Sequence, residues 1–99
     1  MTKRELVVMV AERLGYTQNE VSNVVQTTLE TITDCLARGQ RLEIRNFGVF
    51  EVMRRKERVG RNPNEPKTEV KIPERAVVKF KPGKEMRKLV LKLDPQDLQ

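Results

Sequence analysis

Residues 53 to 75 read MRRKERVGRNPNEPKTEVKIPER, a stretch that combines dense positive charge with almost no apolar surface. Strand-like sequence flanks it at residues 42–52 and 76–80. The stretch cannot form a hydrophobic core of its own, because its apolar side chains are few: Met53, Val59, Val70 and Ile72. The pattern therefore predicts a long two-stranded arm that leaves a compact body near residue 53 and returns near residue 75.

The tip of this predicted arm carries the sequence Gly60-Arg61-Asn62-Pro63. A basic arm that ends in an apolar proline suits a polyanionic duplex, because the cations attract phosphates and a proline ring can wedge between base pairs. An ordinary turn proline is the alternative interpretation of Pro63. The arm thus indicates duplex DNA as a partner and makes Pro63 the candidate wedge.

The length and the charge distribution of the chain limit the possible functions further. Ninety-nine residues make one domain, and a body that gives up about twenty of them to an arm is near the size at which folding alone is marginal, so oligomerisation is expected. The net charge is +6, and residues 51–99, with fourteen basic and eight acidic side chains, hold the whole excess. This asymmetry predicts one basic surface on a neutral body, as in nucleic-acid binders. A merely solubilising charge pattern is the alternative.

Two helix starts carry the same capping pattern, a threonine followed three residues later by a glutamate. The first helix is predicted from Thr2 to Gly15 and the second from Thr17 to Gly39. The apolar stripe of the second helix is long for so small a body, so we predict that it is buried against a second copy of the chain. The residues at helical spacing are Leu6, Val7, Val10 and Leu14, then Val21, Val24, Val25, Leu29, Ile32 and Leu36.

The apolar spacing then changes to a period of two, which indicates strands. Residues 42–52 predict two strands with a tight turn or bulge at Asn46-Phe47-Gly48, and residues 70–80 predict a returning strand interrupted at Pro73. A third helix is predicted from Lys84, followed by a loose tail over residues 92–99. The predicted fold class is therefore α+β, with two N-terminal helices, a three-stranded antiparallel sheet with a long β-arm, and a C-terminal helix.

The chain lacks the residues that several classes of function require. The chain has no histidine and one cysteine, Cys35, so the commonest general base and a thiolate zinc site are both missing, and we expect no enzymatic activity, metal or cofactor. The four aromatic residues do not suit the exposed stacking platform of a single-strand binder. No apolar run approaches about 18 residues and no signal-peptide core precedes the first helix, so the expected location is the cytoplasm.

Three motifs, in this order, give the chain a family resemblance: Phe47-Gly48-Val49-Phe50, Gly60-Arg61-Asn62-Pro63 and Phe80-Lys81-Pro82-Gly83-Lys84. With a helix pair before them and one helix after, residues 1 to about 91 resemble the HU/IHF family of bacterial histone-like DNA-bending proteins. The resemblance implies an intertwined dimer whose two β-arms follow the minor groove, with Pro63 entering between base pairs. It also implies DNA contacts by Arg55, Arg58 and Arg61, and backbone contacts on the flanks by Lys84, Lys88 and Lys3.

The chain departs from the family pattern at two places. The tip segment from Asn64 to Glu69 is one residue longer than the turn common in the family, and Pro66 stands near the position of its glycine. Asn46 replaces a glycine often found before the Phe-Gly pair. Asparagine tolerates positive φ better than most residues, so we expect the turn at Asn46 to be kept.

The resulting prediction is an architectural protein of the bacterial nucleoid, a homodimer that binds the minor groove and bends or compacts duplex DNA with weak sequence preference. A heterodimer is possible, and neither a membrane nor a small-molecule substrate is expected as a partner. An IHF-like sequence-specific bender and an RNA- or ribosome-associated basic protein are the alternatives. The predicted DNA-binding residues are Arg54, Arg55, Arg58, Arg61, Asn62, Pro63, Lys67, Lys71, Arg75, Lys79, Lys81, Lys84, Lys88 and Lys3.

Overall fold

The computed structural model describes residues 1–62 and 64–98, without the side chains of Arg61, Asn62, Glu65 and Pro66. It divides into two units, residues 1–38 and residues 39–99. The first unit holds helices α1 (Lys3–Leu14) and α2 (Gln18–Ala37). The second holds strands β1 (Leu42–Ile44), β2 (Gly48–Arg55), β3 (Arg58–Asn62), β4 (Glu65–Ile72) and β5 (Arg75–Pro82), then helix α3 (Lys84–Leu91).

Both helices of the first unit begin at the predicted caps. The Thr2 hydroxyl accepts a hydrogen bond from the Glu5 amide at 3.2 Å, and the Thr17 hydroxyl accepts one from the Glu20 amide at the same distance. Gly15 ends α1 with φ 71°, a left-handed conformation that costs glycine little. The capping signals in the sequence therefore predict the helix starts, and Gly15 the end of α1, correctly.

The hydrophobic core of this unit is small. Val7 and Ala11 of α1 pack with Val21 of α2, and Val10 and Val25 lie partly buried against them. Among the described residues, these first three are the buried hydrophobic side chains of the chain. One chain therefore buries only Val7 and Val21 of its predicted apolar stripe, half-buries four of its residues, and leaves Leu6, Leu14, Val24 and Leu29 exposed.

The second unit is built on an antiparallel sheet with the strand order β1-β2-β5. β1 and β2 are joined by the predicted tight turn, in which Asn46 has φ 65° and the Phe47 amide donates to the Ile44 carbonyl at 3.0 Å. Asn46 thus occupies the left-handed region that the replaced glycine would allow, as expected from its short polar side chain. In the described residues, three α-helices and antiparallel strands confirm the predicted α+β fold class.

The arm is a second antiparallel sheet made of β3 and β4. β2 and β5 remain paired in the body as far as the rung between Arg55 and Arg75, and the arm pairing starts at the rung between Arg58 and Ile72. Residues 56–57 and 73–74 therefore form two short breaks opposite each other, and the predicted interruption at Pro73 lies in one of them. We call this point the arm joint.

The C-terminal segment differs from its prediction. The tail was expected to be loose, but Pro95–Asp97 form a 3-10 turn after α3. The Asp94 carboxylate caps this turn by accepting a hydrogen bond from the Gln96 amide at 2.9 Å. An Asp-Pro pair supplies both the cap and a preset φ, so a short turn forms without burial.

Candidate nucleic-acid interface

The body sheet has two chemically different faces because strand residues alternate between its sides. Phe50 lies opposite Phe80 with ring centroids 4.8 Å apart, and Val52 lies opposite Val78 on the same face. Phe47 adds a third ring, 5.6 Å from Phe80. We call this side the phenylalanine face.

The other side carries most of the charge, and we call it the cationic face. Its β2 residues alternate with those of the phenylalanine face, and its β5 residues are opposite them in register. Four of its members were predicted to bind DNA. They are Arg55, Arg75, Lys79 and Lys81.

One rung of the cationic face pairs two arginines across neighbouring strands. Arg55 and Arg75 are cross-strand partners at the end of the body sheet, and both are exposed. Like charges at directly opposed positions destabilise a sheet. An anion bound between them removes that repulsion, so this rung is well suited to a phosphate group.

The inner part of the cationic face is neutralised by Glu51. Its carboxylate lies 3.3 Å from Lys81 Nζ and 3.5 Å from Arg41 Nε, and Arg41 also reaches Glu43 at 3.3 Å. The hydrogen bond from Lys81 is the largest cause that holds the pKa of Glu51 below its usual range, opposed in part by desolvation and reinforced by Arg41. Glu51 therefore stays ionised, and the net positive charge of this face is concentrated toward the arm.

Two more predicted DNA-binding cations are paired with carboxylates at the arm joint. Arg54 forms an ion pair with Glu74, and Lys71 Nζ lies 2.8 Å from Glu57 Oε1. Both cationic side chains are 77% exposed, so their outer surfaces face solvent. These cations remain accessible to an incoming polyanion.

The two sides of the arm also differ. Arg58 and Gly60 lie opposite Ile72 and Val70, which makes one side apolar apart from Arg58. On the other side, Val59 lies opposite Lys71, and Glu69 of β4 shares that side. One side of the arm therefore carries Lys71 and Glu69, and the other carries an apolar strip together with Arg58.

At the tip, β4 has a register irregularity. Arg61 pairs with Glu69, yet the next residue, Asn62, pairs with Glu65, so the extra residues of β4, including the exposed Lys67, form a bulge. The predicted longer tip thus adds a cation beside the turn. The proposed wedge, Pro63, lies outside the described residues, as do the side chains of Asn62 and Arg61.

The remaining predicted residues lie on helices. Lys84 begins α3 and Lys88 follows one turn later on the same side, both exposed. Lys3, at the start of α1, donates a hydrogen bond from Nζ to Gln26 Oε1 of α2. The structure thus groups Arg55, Arg75, Lys79 and Lys81 on one face, whereas Lys3 belongs to the other unit.

Sequence reasoning missed the carboxylates that pair with these cations. Glu51, Glu57 and Glu74 were not singled out, nor were Arg41 at the body sheet and the exposed Lys56 at the arm joint. The signal was the presence of isolated acids inside the basic half of the chain. Their partners depend on strand register, which the apolar pattern defines only loosely at the polar breaks.

The part of the chain that the structure describes offers neither a metal site nor a membrane-spanning helix. Among residues 1–62 and 64–98, no group of three or more His, Cys, Asp or Glu side chains could hold a metal ion. None of the helices in those residues has the length and hydropathy needed to cross a membrane. The charged sheet face and arm therefore remain the candidate site.

Known bacterial DNA-binding proteins match this chain over most of its length. A family model described as "Bacterial DNA-binding protein" matches residues 1–91. The chain is 46% identical over 90 residues to DNA-binding protein HU of Thermotoga maritima, covering 91% of this chain and 99% of that one. It is also 46% identical over 91 residues to the integration host factor subunit beta of Burkholderia cenocepacia, covering 91% and 84%.

The structural comparison gives the same family. An Anabaena HU–DNA cocrystal structure matches with a TM-score of 0.85 and 36% identity, covering 94% of this chain and all of that one. HU from Thermotoga maritima matches with a TM-score of 0.65 and 34% identity, covering 91% and 98%. The matches confirm the predicted resemblance and the predicted class of function, an architectural DNA-binding protein. The chain therefore belongs to the bacterial DNA-binding protein family, which includes HU and integration host factor.

Proposed function

We propose that this protein works as a homodimer that clasps duplex DNA between two β-arms and bends it with weak sequence preference. The observation that carries the proposal is the cationic face that ends in the Arg55–Arg75 rung, directly before the arm joint. Opposed cations at the base of each arm repel each other, and a phosphate backbone bound between them would remove that repulsion. The backbone contacts would align the arm with the groove.

The dimer follows from apolar surface that one chain leaves uncovered. Large hydrophobic side chains of α2, α3 and the phenylalanine face are exposed, which a stable monomer avoids on this scale. Burial against a second copy would complete the core, and it would also place two arms on one DNA site. The exposed fractions decide this point: Val24 65%, Phe47 43%, Val78 59%, Leu89 63% and Val90 56%.

Weak sequence preference follows from the chemistry of the cations. All of them are lysines and arginines, and most lie on strands. Such side chains suit phosphates and the degenerate minor groove, where base edges carry little sequence information. Bending would then be favoured at deformable base steps. We propose all of the predicted DNA-binding residues, from Lys3 to Lys88, as the contact set, and the bacterial nucleoid as the location.

We propose Pro63 as the wedge at each arm tip. A proline ring is rigid and apolar and has no amide hydrogen, so it enters an opened base step without leaving a donor unpaired. Residues 1–91 then act as one DNA-binding domain, with residues 92–99 as a tail. The absence of enzymatic activity stays a prediction.

Bending is tested by fluorescence energy transfer across a short duplex labelled at both ends. Pro63→Ala should reduce the bend strongly while affinity for intact duplex falls less, because the phosphate contacts remain. Pro66→Ala is the matched control at the same tip. If Pro66→Ala abolishes the bend and Pro63→Ala does not, the wedge assignment is wrong.

Affinity is tested by titration at several salt concentrations. Six phosphate contacts per dimer predict a log–log slope near about −5, and Arg58→Ala should flatten it. An unchanged slope in Arg58→Ala would place the contact elsewhere. Binding that strongly prefers one site over random DNA would favour the IHF-like alternative, and tighter binding to RNA than to duplex DNA would favour the ribosome-associated one.

A further inference from the structure

The arm joint carries two ion pairs that cross between its two strands. Glu57 lies in the break between β2 and β3 and pairs with Lys71 of β4 at 2.8 Å. Glu74 lies in the break between β4 and β5 and pairs with Arg54 of β2. Each break therefore contains one carboxylate, and each carboxylate holds a cation on the opposite strand.

These pairs stand where the strand ladder is interrupted. The last rung of the body sheet joins Arg55 to Arg75, and the first rung of the arm joins Arg58 to Ile72. Pro73, between the two, has no amide hydrogen to donate. Side-chain ion pairs thus link the two strands across a point where regular backbone pairing gives way.

The two pairs also lie on opposite sides of the joint. Arg54 belongs to the body sheet, whereas Lys71 belongs to the arm. An open depression of about 380 Å³ borders the body-side pair, lined by residues that include Arg54, Glu74 and Arg75. A phosphate group could therefore reach the Arg54 guanidinium without displacing backbone.

The same two cations have competing partners. Without DNA, the carboxylates neutralise Arg54 and Lys71 in a segment that also carries Arg55, Lys56 and Arg75, which limits repulsion at the joint. With DNA, phosphates attract these cations, which are already exposed. A carboxylate and a phosphate that use the same donor groups of a cation compete, so the ion pair must break before the phosphate binds there.

We propose that Glu57 and Glu74 are clamps that hold the arm joint in the free protein and release Arg54 and Lys71 to phosphates when DNA binds. This proposal rests on the proposed function, because it concerns how the same arm engages duplex DNA. The clamps stiffen the free arm, and their release lets the arm turn onto the groove. Breaking each ion pair costs free energy, which lowers the affinity of the protein for duplex DNA. The two carboxylates therefore set how tightly the arm binds.

The test uses full-length Glu57→Gln, Glu74→Gln and the double variant, with Glu12→Gln on α1 as a control of equal charge change. Exposed ion pairs are weak, so each one released should tighten duplex binding by about twofold. The double variant frees two pairs on each arm of a dimer, four in all, and should bind roughly sixteenfold more tightly. Glu12→Gln should leave the Kd unchanged.

A double-mutant cycle separates clamp release from simple repulsion between carboxylates and DNA. Glu57→Gln should tighten binding when Lys71 is present and have no effect in a Lys71→Gln background. Equal tightening in both backgrounds would mean bulk repulsion and would overturn the proposal. Weaker binding by Glu57→Gln would also overturn it, because the carboxylate would then orient Lys71 toward the phosphate.

The free protein gives a second, independent readout. Amide hydrogen exchange at the first arm rung, residues 58 and 72, should be faster in the double variant than in the parent, because the joint opens more often. Unchanged exchange would mean that the pairs do not hold the joint. Failure of the proposed function is distinguishable from all of these results, because the parent protein would then not bind or bend duplex DNA at all.

Discussion

Gly48 should be the glycine least tolerant of substitution in the body sheet. It begins β2, is buried, and is paired with Pro82 of β5. A Cβ added there would lie 2.6 Å from the Lys81 carbonyl oxygen, and 2.6 and 2.7 Å from two ring atoms of Phe80. The Lys81 carbonyl belongs to the backbone of β5, which is paired with β2, so it cannot move aside without disturbing that ladder.

The cost of Gly48→Ala can be worked from these contacts. A methyl group forced into a packed site typically costs about 1–3 kcal/mol, and the upper part of that range applies because one contact is with backbone. For a chain of this length, about 2–3 kcal/mol corresponds to a fall in Tm of roughly 10–20 °C. The β2–β5 ladder that supports the Phe50–Phe80 contact should loosen together with it.

Gly60→Ala is the matched control in the arm. Its added Cβ would lie 3.4 Å from Ile72 Cδ1 and 3.8 Å from the Val70 carbonyl oxygen, which is ordinary contact. Its stability change should therefore stay within about 0.5 kcal/mol, or be slightly favourable through lower unfolded-state entropy. The Gly48→Ala and Gly60→Ala substitutions are chemically identical and differ only in their position in the structure.

The Tm of the parent and of both variants can be compared by thermal unfolding followed by circular dichroism. All proteins must be at one concentration, because dimerisation makes Tm concentration-dependent. A Gly48→Ala protein whose Tm lies within about 2 °C of the parent would refute the packing argument. So would a Gly60→Ala protein that loses as much stability as Gly48→Ala.

Three further outcomes are expected. Thr17→Ala, which removes the hydroxyl that caps α2, should lower the unfolding free energy by about 1 kcal/mol in urea titrations, and no loss would mean that the cap is already satisfied otherwise. Sedimentation equilibrium at micromolar concentration should give about twice the chain mass of 11.5 kDa, whereas a folded monomer would contradict the dimer. Because the pKa of Glu51 is lowered in the folded protein, chiefly by the hydrogen bond from Lys81, its stabilising contribution is present above its unfolded pKa and is lost as pH falls through the folded one. Glu51→Gln should therefore flatten the acid side of the stability–pH curve, and an unchanged curve would show that the ion pairs do not contribute.

Local chemistry determined much of this protein from the sequence alone. Thr2 and Thr17 marked the helix starts because a capping hydroxyl satisfies amides within its own first turn. Asn46 could be expected to adopt positive φ because its own side chain lowers the cost of that conformation. The arm followed from a simple shortage of apolar residues between two strand patterns. Each of these inferences depends on residues within a few positions of one another.

The tertiary structure decided what depends on residues far apart in the chain. Cross-strand register placed Arg55 against Arg75 and brought Glu57 to Lys71 and Glu74 to Arg54. Polar residues at strand breaks carry little register information, because no buried face distinguishes one alignment from the next. The sequence therefore predicted a basic arm with its cations, while only the folded chain revealed which of those cations are held by carboxylates.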